Sequence, residues 1–317
     1  MKNHLLVSVI INNYNYAQFL EEAIASALAQ TYANVEVILV DDGSTDNSPE
    51  IIASYGDRIK SIFKKNGGQA SAFNVGFAAS KGDIICFLDS DDTFAPEKVA
   101  EIVNVFATHT DAEWCFHTVK LEDYQTKKSL SASVETGSRR CDFRKRMMQG
   151  RYRFFSPPTS GLCFKRSLLK QILPMTENLK RGADRYLVAI APALSPGFYL
   201  DRQLTIQKIH GNNGNTLQEG EKFNRRRAYK ALTVAYFMRR ELPQFYKMTD
   251  RMFARGLALY WKLKYQHREE KELIDNYLSS SNLLSKIKIY LIALYRNKSW
   301  KILQSAQYRQ KISKIKM

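Results

Sequence analysis

Ile85-Cys86-Phe87-Leu88-Asp89-Ser90-Asp91-Asp92-Thr93 runs four apolar residues straight into three carboxylates. A short apolar run of that length reads as a buried strand. The C-terminal end of such a strand is where an open α/β sheet presents its ligand-binding groups. Carboxylates repel one another, so gathering them at the rim of a core costs stability unless a cation sits among them. A hard divalent ion such as Mg²⁺ or Mn²⁺ takes one or two carboxylates and fills its shell with substrate phosphates. The stretch therefore points to a nucleoside diphosphate held through a metal, not to a structural metal cage.

The same pattern repeats upstream. Val7–Ile11, Val35–Val40 and Ile59–Phe63 are strand candidates, and Ile84–Leu88 is the fourth. Between the first two, Phe19, Leu20, Ala23, Ile24, Ala27 and Leu28 recur at helical spacing. Ser48-Pro49-Glu50 sets a cap residue before a proline at the first helical position, and Gln69–Ala79 reads as a helix stopped at Lys81-Gly82-Asp83. Alternating strand and helix predicts an α/β fold: a Rossmann-like, mostly parallel sheet flanked by helices, joined by right-handed crossovers. In such a sheet Asn12-Asn13-Tyr14, Asp41-Asp42-Gly43-Ser44 and Asp89 to Asp92 end three strands on one edge, where they form a single site.

Downstream the pattern loosens. Trp114–Leu121 predicts a strand, Arg151 to Ser160 with Pro157-Pro158 a loop at the active site, and Gly161–Phe164 another strand. Helices follow from Ser167 and from Arg181, and Phe198–Ile209 reads as one long strand ending at His210-Gly211-Asn212-Asn213. From about Glu221 the chain reads as a helical C-terminal extension, in which Leu283, Ile287, Tyr290, Leu291 and Leu294 form an apolar stripe flanked by Lys286, Lys288, Arg296 and Lys298.

With 317 residues, 44% hydrophobic and 25% charged, the chain has the composition of a globular protein and can bury a full core. No stretch reaches the roughly 18 apolar residues of a membrane span. The cysteines Cys86, Cys115, Cys141 and Cys163 lack metal-ligand or disulfide spacing and read as reduced thiols of the cytoplasm. Charge is divided unevenly: residues 1–100 carry 7 Lys/Arg against 13 Asp/Glu, and the remainder carries 41 against 18. After Asp275 nine Lys or Arg follow with no acid. One part suits a cation and the other an anionic surface.

Val7-Ser-Val-Ile-Ile-Asn-Asn-Tyr-Asn, Val40-Asp-Asp-Gly-Ser-Thr-Asp, Asn66-Gly-Gly with Asn74-Val-Gly, Lys81-Gly-Asp and Leu88-Asp-Ser-Asp-Asp, in this order and spacing, strongly resemble the family 2 glycosyltransferases of the GT-A fold. The match is dense over about residues 5–100 and continues to about 215 through Gly182-Ala-Asp184 and Ile209-His-Gly-Asn-Asn. The resemblance implies an inverting transferase that moves a sugar from a nucleotide-sugar donor, UDP-linked, to a glycan or lipid-linked acceptor with Mn²⁺ or Mg²⁺. It divides the chain into a GT-A domain at 1–220, with a nucleotide-sugar half at 1–106 and an acceptor half at 107–220, followed by the basic helical region 221–317. It makes Asp42 the acceptor for the uracil ring N–H, with Asn12 and Tyr14 around the base and ribose and Asn74 also on the donor. Asp89 and Asp91 would hold ribose and metal, His210 would close over the diphosphate or metal, and Asp184 would be the base. The family often carries Thr at the position of Asn12 and Arg at that of Phe73.

Two other classes compete. A nucleic-acid-binding protein would explain the pI of about 9.6 and Arg225-Arg226-Arg227. It leaves the acidic half without a role, and no RNP, KH or zinc-finger pattern is present. A nucleotidyltransferase would carry a Gly-rich phosphate loop after the first strand, where this chain has Asn-Asn-Tyr-Asn. A retaining double displacement needs a second carboxylate about 5 Å away as nucleophile, and none is evident. The tail stripe with its charges has the pattern of an interfacial helix, which predicts a cytoplasmic protein held peripherally on the anionic inner face of a membrane, with no nucleic-acid partner. Packing of the stripe on the protein's own core is the competing expectation.

Overall fold

Val7, Val9 and Ile11 point to one side of the first strand and Ile10 to the other, and all are buried. A strand apolar on both faces needs cover on both, which is the signature of the interior of a parallel sheet. The computed structural model describes residues 5–130, 137–151, 157–179, 182–211, 213, 220–263 and 268–297, and shows that sheet. In chain order, β1 (Val7–Asn13), α1 (Ala17–Leu28), β2 (Val35–Asp41), α2 (Ser48–Ser54), β3 (Lys60–Phe63), α3 (Gln69–Ala79) and β4 (Ile84–Asp89) alternate. Then come β5 (Asp92–Phe94), α4 (Lys98–Thr108), β6 (Trp114–His117), β7 (Lys120–Asp123), β8 (Ser129–Leu130) and β9 (Arg139–Cys141). After α5 (Arg144–Met148) follow β10 (Leu162–Lys165), α6 (Arg166–Ile172), α7 (Ala183–Leu194), β11 (Gly197–Leu200) and β12 (Thr205–Ile209).

Eight strands form the main sheet in the order β3-β2-β1-β4-β10-β6-β11-β9. The first four run parallel, as does β11 beside β6, whereas β10 and β9 are antiparallel to their neighbours. One face is covered by Leu20, Ala23, Ile24 and Ala27 of α1 and by Val99, Ile102 and Phe106 of α4. On the other, Phe73 of α3 stacks on Phe87 with ring centroids 4.4 Å apart. Gly76 lets α3 lie close to β1, because a Cβ there would sit 2.5 Å from the Ile10 side chain. Fully apolar burial of this kind contributes about 1.5–3 kcal/mol per large side chain.

Two predicted strands are each broken. Trp114–Leu121 divides between β6 and β7, and Phe198–Ile209 between β11 and β12. The halves lie in different sheets: β6 pairs β11 in the main sheet, while β7 pairs β12 in a small one of order β5-β12-β7-β8. Both strands of the pair thus leave one sheet together and enter the other. Arg202 stands in the break and is held by Glu97 and Glu101 of the α4 region. Hydrophobic periodicity does not mark such a break, since residues on both sides of it are strand with buried side chains. The consequence is functional: β12 runs antiparallel to β5, so its end meets the carboxylates that precede β5.

The described chain separates into two compact units, one of residues 1–145 with 153–213 and one of 146–152 with 214–317. The second unit is helical from 221 on: α8 (Glu221–Glu241), α9 (Tyr246–Tyr260), α10 (Arg268–Ser279) and a helix at 283–297. Its core gathers Leu232, Phe253, Leu257, Tyr277, Ile289 and Ala293, with Phe253 and Tyr277 stacked at 3.8 Å. Arg239 reaches Asp250 and the Tyr277 hydroxyl inside it, so the charge buried there is paired. No described helix is long and apolar enough to cross a membrane.

Candidate active site

The run that ends β4 becomes a cluster: one oxygen each of Asp89, Asp91 and Asp92 lie within 4.8 Å of one another. Desolvation, then the charge of Asp91, and in addition that of Asp184, push the Asp89 carboxyl up to about 7. Burial and the charges of Asp91 and Asp89 push Asp92 well above the usual carboxylate range. Oxygen donors this close, with Asp89 and Asp92 held above their ordinary affinity for protons, fit a hard divalent ion that would relieve the repulsion. Asp89 and Asp91, the more accessible two, would hold it.

Asp92 does other work. Its Oδ2 accepts the Ser160 hydroxyl at 2.6 Å, and the Ser160 Oγ in turn accepts the Asp89 amide at 3.0 Å. Beneath them the ammonium of fully buried Lys98 donates to the Ser160 carbonyl at 2.7 Å and lies 3.2 Å from the Phe94 ring centroid. Burial lowers the Lys98 pKa, while the nearby Asp92 carboxylate favours its charge. Ser160 therefore ties both ends of the acid run to the sheet. Ser160→Ala leaves the buried Asp92 oxygen without that donor and is expected to cost about 1–3 kcal/mol of unfolding free energy in urea titration. An unchanged midpoint would mean that the run is held without it.

His210 and Asn213 close over the cluster from the end of β12. The His210 Nε2 lies 3.1 Å from Asp91 Oδ2, and Asn213 Nδ2 donates to the same oxygen at 3.3 Å. Asn213 also accepts the His210 amide at 2.8 Å, fixing the turn. The imidazole packs on Phe19 at 4.4 Å and on Tyr16 at 5.8 Å. Asp184 stands in the first turn of α7, after Gly182 at φ 117°, a left-handed conformation that suits glycine. Its charge reaches Asp89, so the structure brings Asp184, Asp89, Asp91 and His210 to one region.

At the end of β2 the Asp42 carboxylate accepts Lys64 Nζ at 2.6 Å and the amides of Gly67 and Gly68 at 2.9 and 2.7 Å. A carboxylate offers about four lone-pair positions, so three donors leave room for one more. Asp41 accepts Asn13 and the Ser44 amide, both at 2.8 Å, and shapes the turn. Asn12 donates to Asp89 Oδ1 at 3.0 Å, linking the ends of β1 and β4, and Tyr14 beyond it is exposed. Asn74 lies apart from these contacts: its amide donates to the Met175 carbonyl at 2.7 Å and its oxygen accepts the Met175 amide at 2.8 Å. Both ends of that side chain fasten α3 to the 173–177 segment. Phe73, at a position where Arg was the alternative, is buried in the core.

Sequence reasoning assigned no part to Ser160, Lys98, Lys64 or Asn213. Only Asn213 and Ser160 lay in stretches it singled out, the His210 turn and the loop with two prolines.

A sequence profile described as Glycosyl transferase family 2 matches residues 8–173. An uncharacterized glycosyltransferase of Nostoc sp. is 39% identical over 214 residues, 66% of each chain. One from Rickettsia typhi is 48% identical over 100 residues, 32% of this chain and 31% of its own. The chain thus spans 66% and 31% of the length of these two relatives. Among solved structures, Staphylococcus aureus TarS 1–349 in complex with UDP-GlcNAc superposes with TM-score 0.61 at 20% identity, over 86% of this chain and 79% of that one. The mannosyltransferase PcManGT of Pyrobaculum calidifontis, in complex with GDP-Man and Mn²⁺, gives TM-score 0.56 at 18% identity over 96% and 85%. These likenesses establish the GT-A fold, and with a profile match over more than half its length the chain belongs to glycosyl transferase family 2.

Proposed function

We propose that this transferase moves a sugar from a UDP-sugar to the hydroxyl of a glycan or lipid-linked acceptor, with inversion at the anomeric carbon. The observation that carries the reading is the Asp89–Asp91 pair at the C-terminal edge of the sheet, with Asp184 near enough for its charge to act on Asp89. Asp42 offers its remaining lone pair to the base N–H, on a loop stiffened by Lys64, Gly67 and Gly68. Asn12 and Tyr14 border base and ribose, Asp89 and Asp91 hold the metal end, and His210 orients Asp91. When bound there, Mn²⁺ or Mg²⁺ supplies positive charge against the negative charge that develops on the departing diphosphate. Asp184 takes the proton of the acceptor hydroxyl as that oxygen attacks the anomeric carbon from the face opposite the leaving group, and one displacement inverts the centre. UDP-GlcNAc and GDP-Man in the two fold neighbours support a nucleotide-sugar, and Mn²⁺ in one of them supports the ion.

The protein works in the cytoplasm, peripherally on the inner face of a membrane, where a lipid-linked acceptor is met in two dimensions. Its four cysteines are free and buried, in keeping with a reducing compartment. Calorimetry tests the donor site: UDP is expected to bind with Mn²⁺ and to lose at least about tenfold in affinity in EDTA, which is roughly 1.4 kcal/mol. Equal affinity in both, or preference for GDP, would remove the assignment of Asp91 or of uracil respectively.

A further inference from the structure

The helix at 283–297 turns its apolar stripe outward. Seven of the twelve exposed large hydrophobics among the described residues lie on it: Leu283, Leu284, Ile287, Tyr290, Leu291, Leu294 and Tyr295. Its opposite side is narrow and seats on the core of the helical unit through Ser285, Ile289 and Ala293. At 3.6 residues per turn the exposed set spans about 140° of the helix circumference. Lys288 stands at one border of that arc and Lys286 at the other. Leaving so much apolar surface in water on one helix is unusual for a monomeric protein and marks a contact surface.

Charge decides the occupant. The flanks are basic, and no acid follows Asp275 in the sequence. A symmetric dimer would set this patch against its own copy, bringing the lysines of two helices together with no acid on either helix to offset them. An anionic lipid surface offers the complement: apolar depth for the arc and negative charge for the lysines. The chain just before the helix adds a second element. Ser280 and Asn282 line a cleft of about 430 Å³ with Tyr236, Arg239, Arg240 and Tyr246. Arg239 is committed to Asp250. Arg240 is exposed, lies 5.7 Å from the Tyr236 ring centroid, and has no ion-pair partner among the described residues.

We propose that the 283–297 helix lies in the headgroup boundary of an anionic phospholipid bilayer by its Leu283–Leu294 face, with Arg240 at the adjoining cleft meeting a lipid phosphate. This rests on the peripheral-membrane reading and names the surface and the residues that serve it.

The full chain is sedimented with vesicles of phosphatidylcholine alone and of phosphatidylcholine with phosphatidylglycerol, at low and high salt. It is expected to pellet with the mixed vesicles at low salt and to be released at high salt. Leu284→Glu with Leu291→Glu changes two exposed side chains, so the circular dichroism stays that of the wild type while the partition coefficient falls at least about tenfold. Arg240→Glu lowers it several-fold on mixed vesicles. If the wild type ignores both vesicles, the membrane reading and this inference fall together. If it binds and the double variant binds equally, the reading stands and the assigned face is wrong. A wild-type dimer that the double variant converts to monomer would give the face to a second copy and overturn the proposal, and Arg240→Glu binding like wild type would remove Arg240 from it.

Discussion

Asp184→Asn is expected to lower sugar transfer by at least about 10²-fold while leaving donor affinity nearly unchanged, the loss a general base contributes. Asparagine has the shape of aspartate and can still accept a hydrogen bond, yet it cannot take a proton from an attacking hydroxyl. The fold has little stake in the charge. Asp184 lies in the first turn of α7, where a carboxylate gains about 0.3–1 kcal/mol from the helix dipole. The buried side of that helix is carried by Tyr186, Leu187 and Ile190. A turnover assay on the purified variant, run beside calorimetric titration with UDP and Mn²⁺, separates the two effects. Turnover near that of the wild type would make Asp184 a structural residue of the helix start. The base would then be sought among other acids of the 101–201 region.

The parts of this site that the sequence revealed are those that end regular strands. Asn12, Asp42 and Asp89 each close an apolar run, and a parallel sheet brings such ends to one edge whatever the loops do. His210 was legible only as a motif. Its approach to Asp91 depends on β12 leaving the main sheet and pairing β5, a break at Asp201 to Leu204 that no periodicity records. Ser160 and Lys98 were illegible for a related reason. The hydroxyl of Ser160 acts on Asp92, 68 positions away, and Lys98 acts on Ser160 across 62. A lysine in the first turn of an amphipathic helix reads as a solvated charge, whereas this one is buried. In the tail the stripe was readable, but its direction was not. Ile289 and Ala293 make a second, narrower stripe on the same helix, and only packing decides which of the two faces inward.

Asp89→Asn is expected to raise the metal-free melting temperature at pH 8 and to abolish most of the rise that Mn²⁺ gives. The Asp89 carboxyl is held at about 7 in the folded protein by burial, by Asp91 and by Asp184, against an ordinary value of 3.8. The folded state therefore binds its proton more tightly than the unfolded chain does. Between about pH 4 and 7 folding retains a proton that unfolding releases, so stability from this group falls as pH rises and the loss is complete above 7. Asparagine removes the charge and flattens that loss. It keeps an oxygen for the hydrogen bond from Asn12, whose amide lies 3.0 Å from Asp89 Oδ1. A gain of about 1 kcal/mol shifts the midpoint of a domain of this size by about 2–4 °C, which calorimetric melting resolves. In the wild type Mn²⁺ is expected to offset the repulsion among Asp89, Asp91 and Asp92. Its stabilising effect should grow from pH 6 to pH 8, because protons compete for the same oxygens at the lower pH. The variant, left with Asp91 as the accessible carboxylate, should gain less than half as much. Equal Mn²⁺ shifts in both proteins, or a wild-type shift that shrinks as pH rises, would show that the ion binds away from Asp89. The raised carboxyl would then belong to the stability of the strand end and not to the metal.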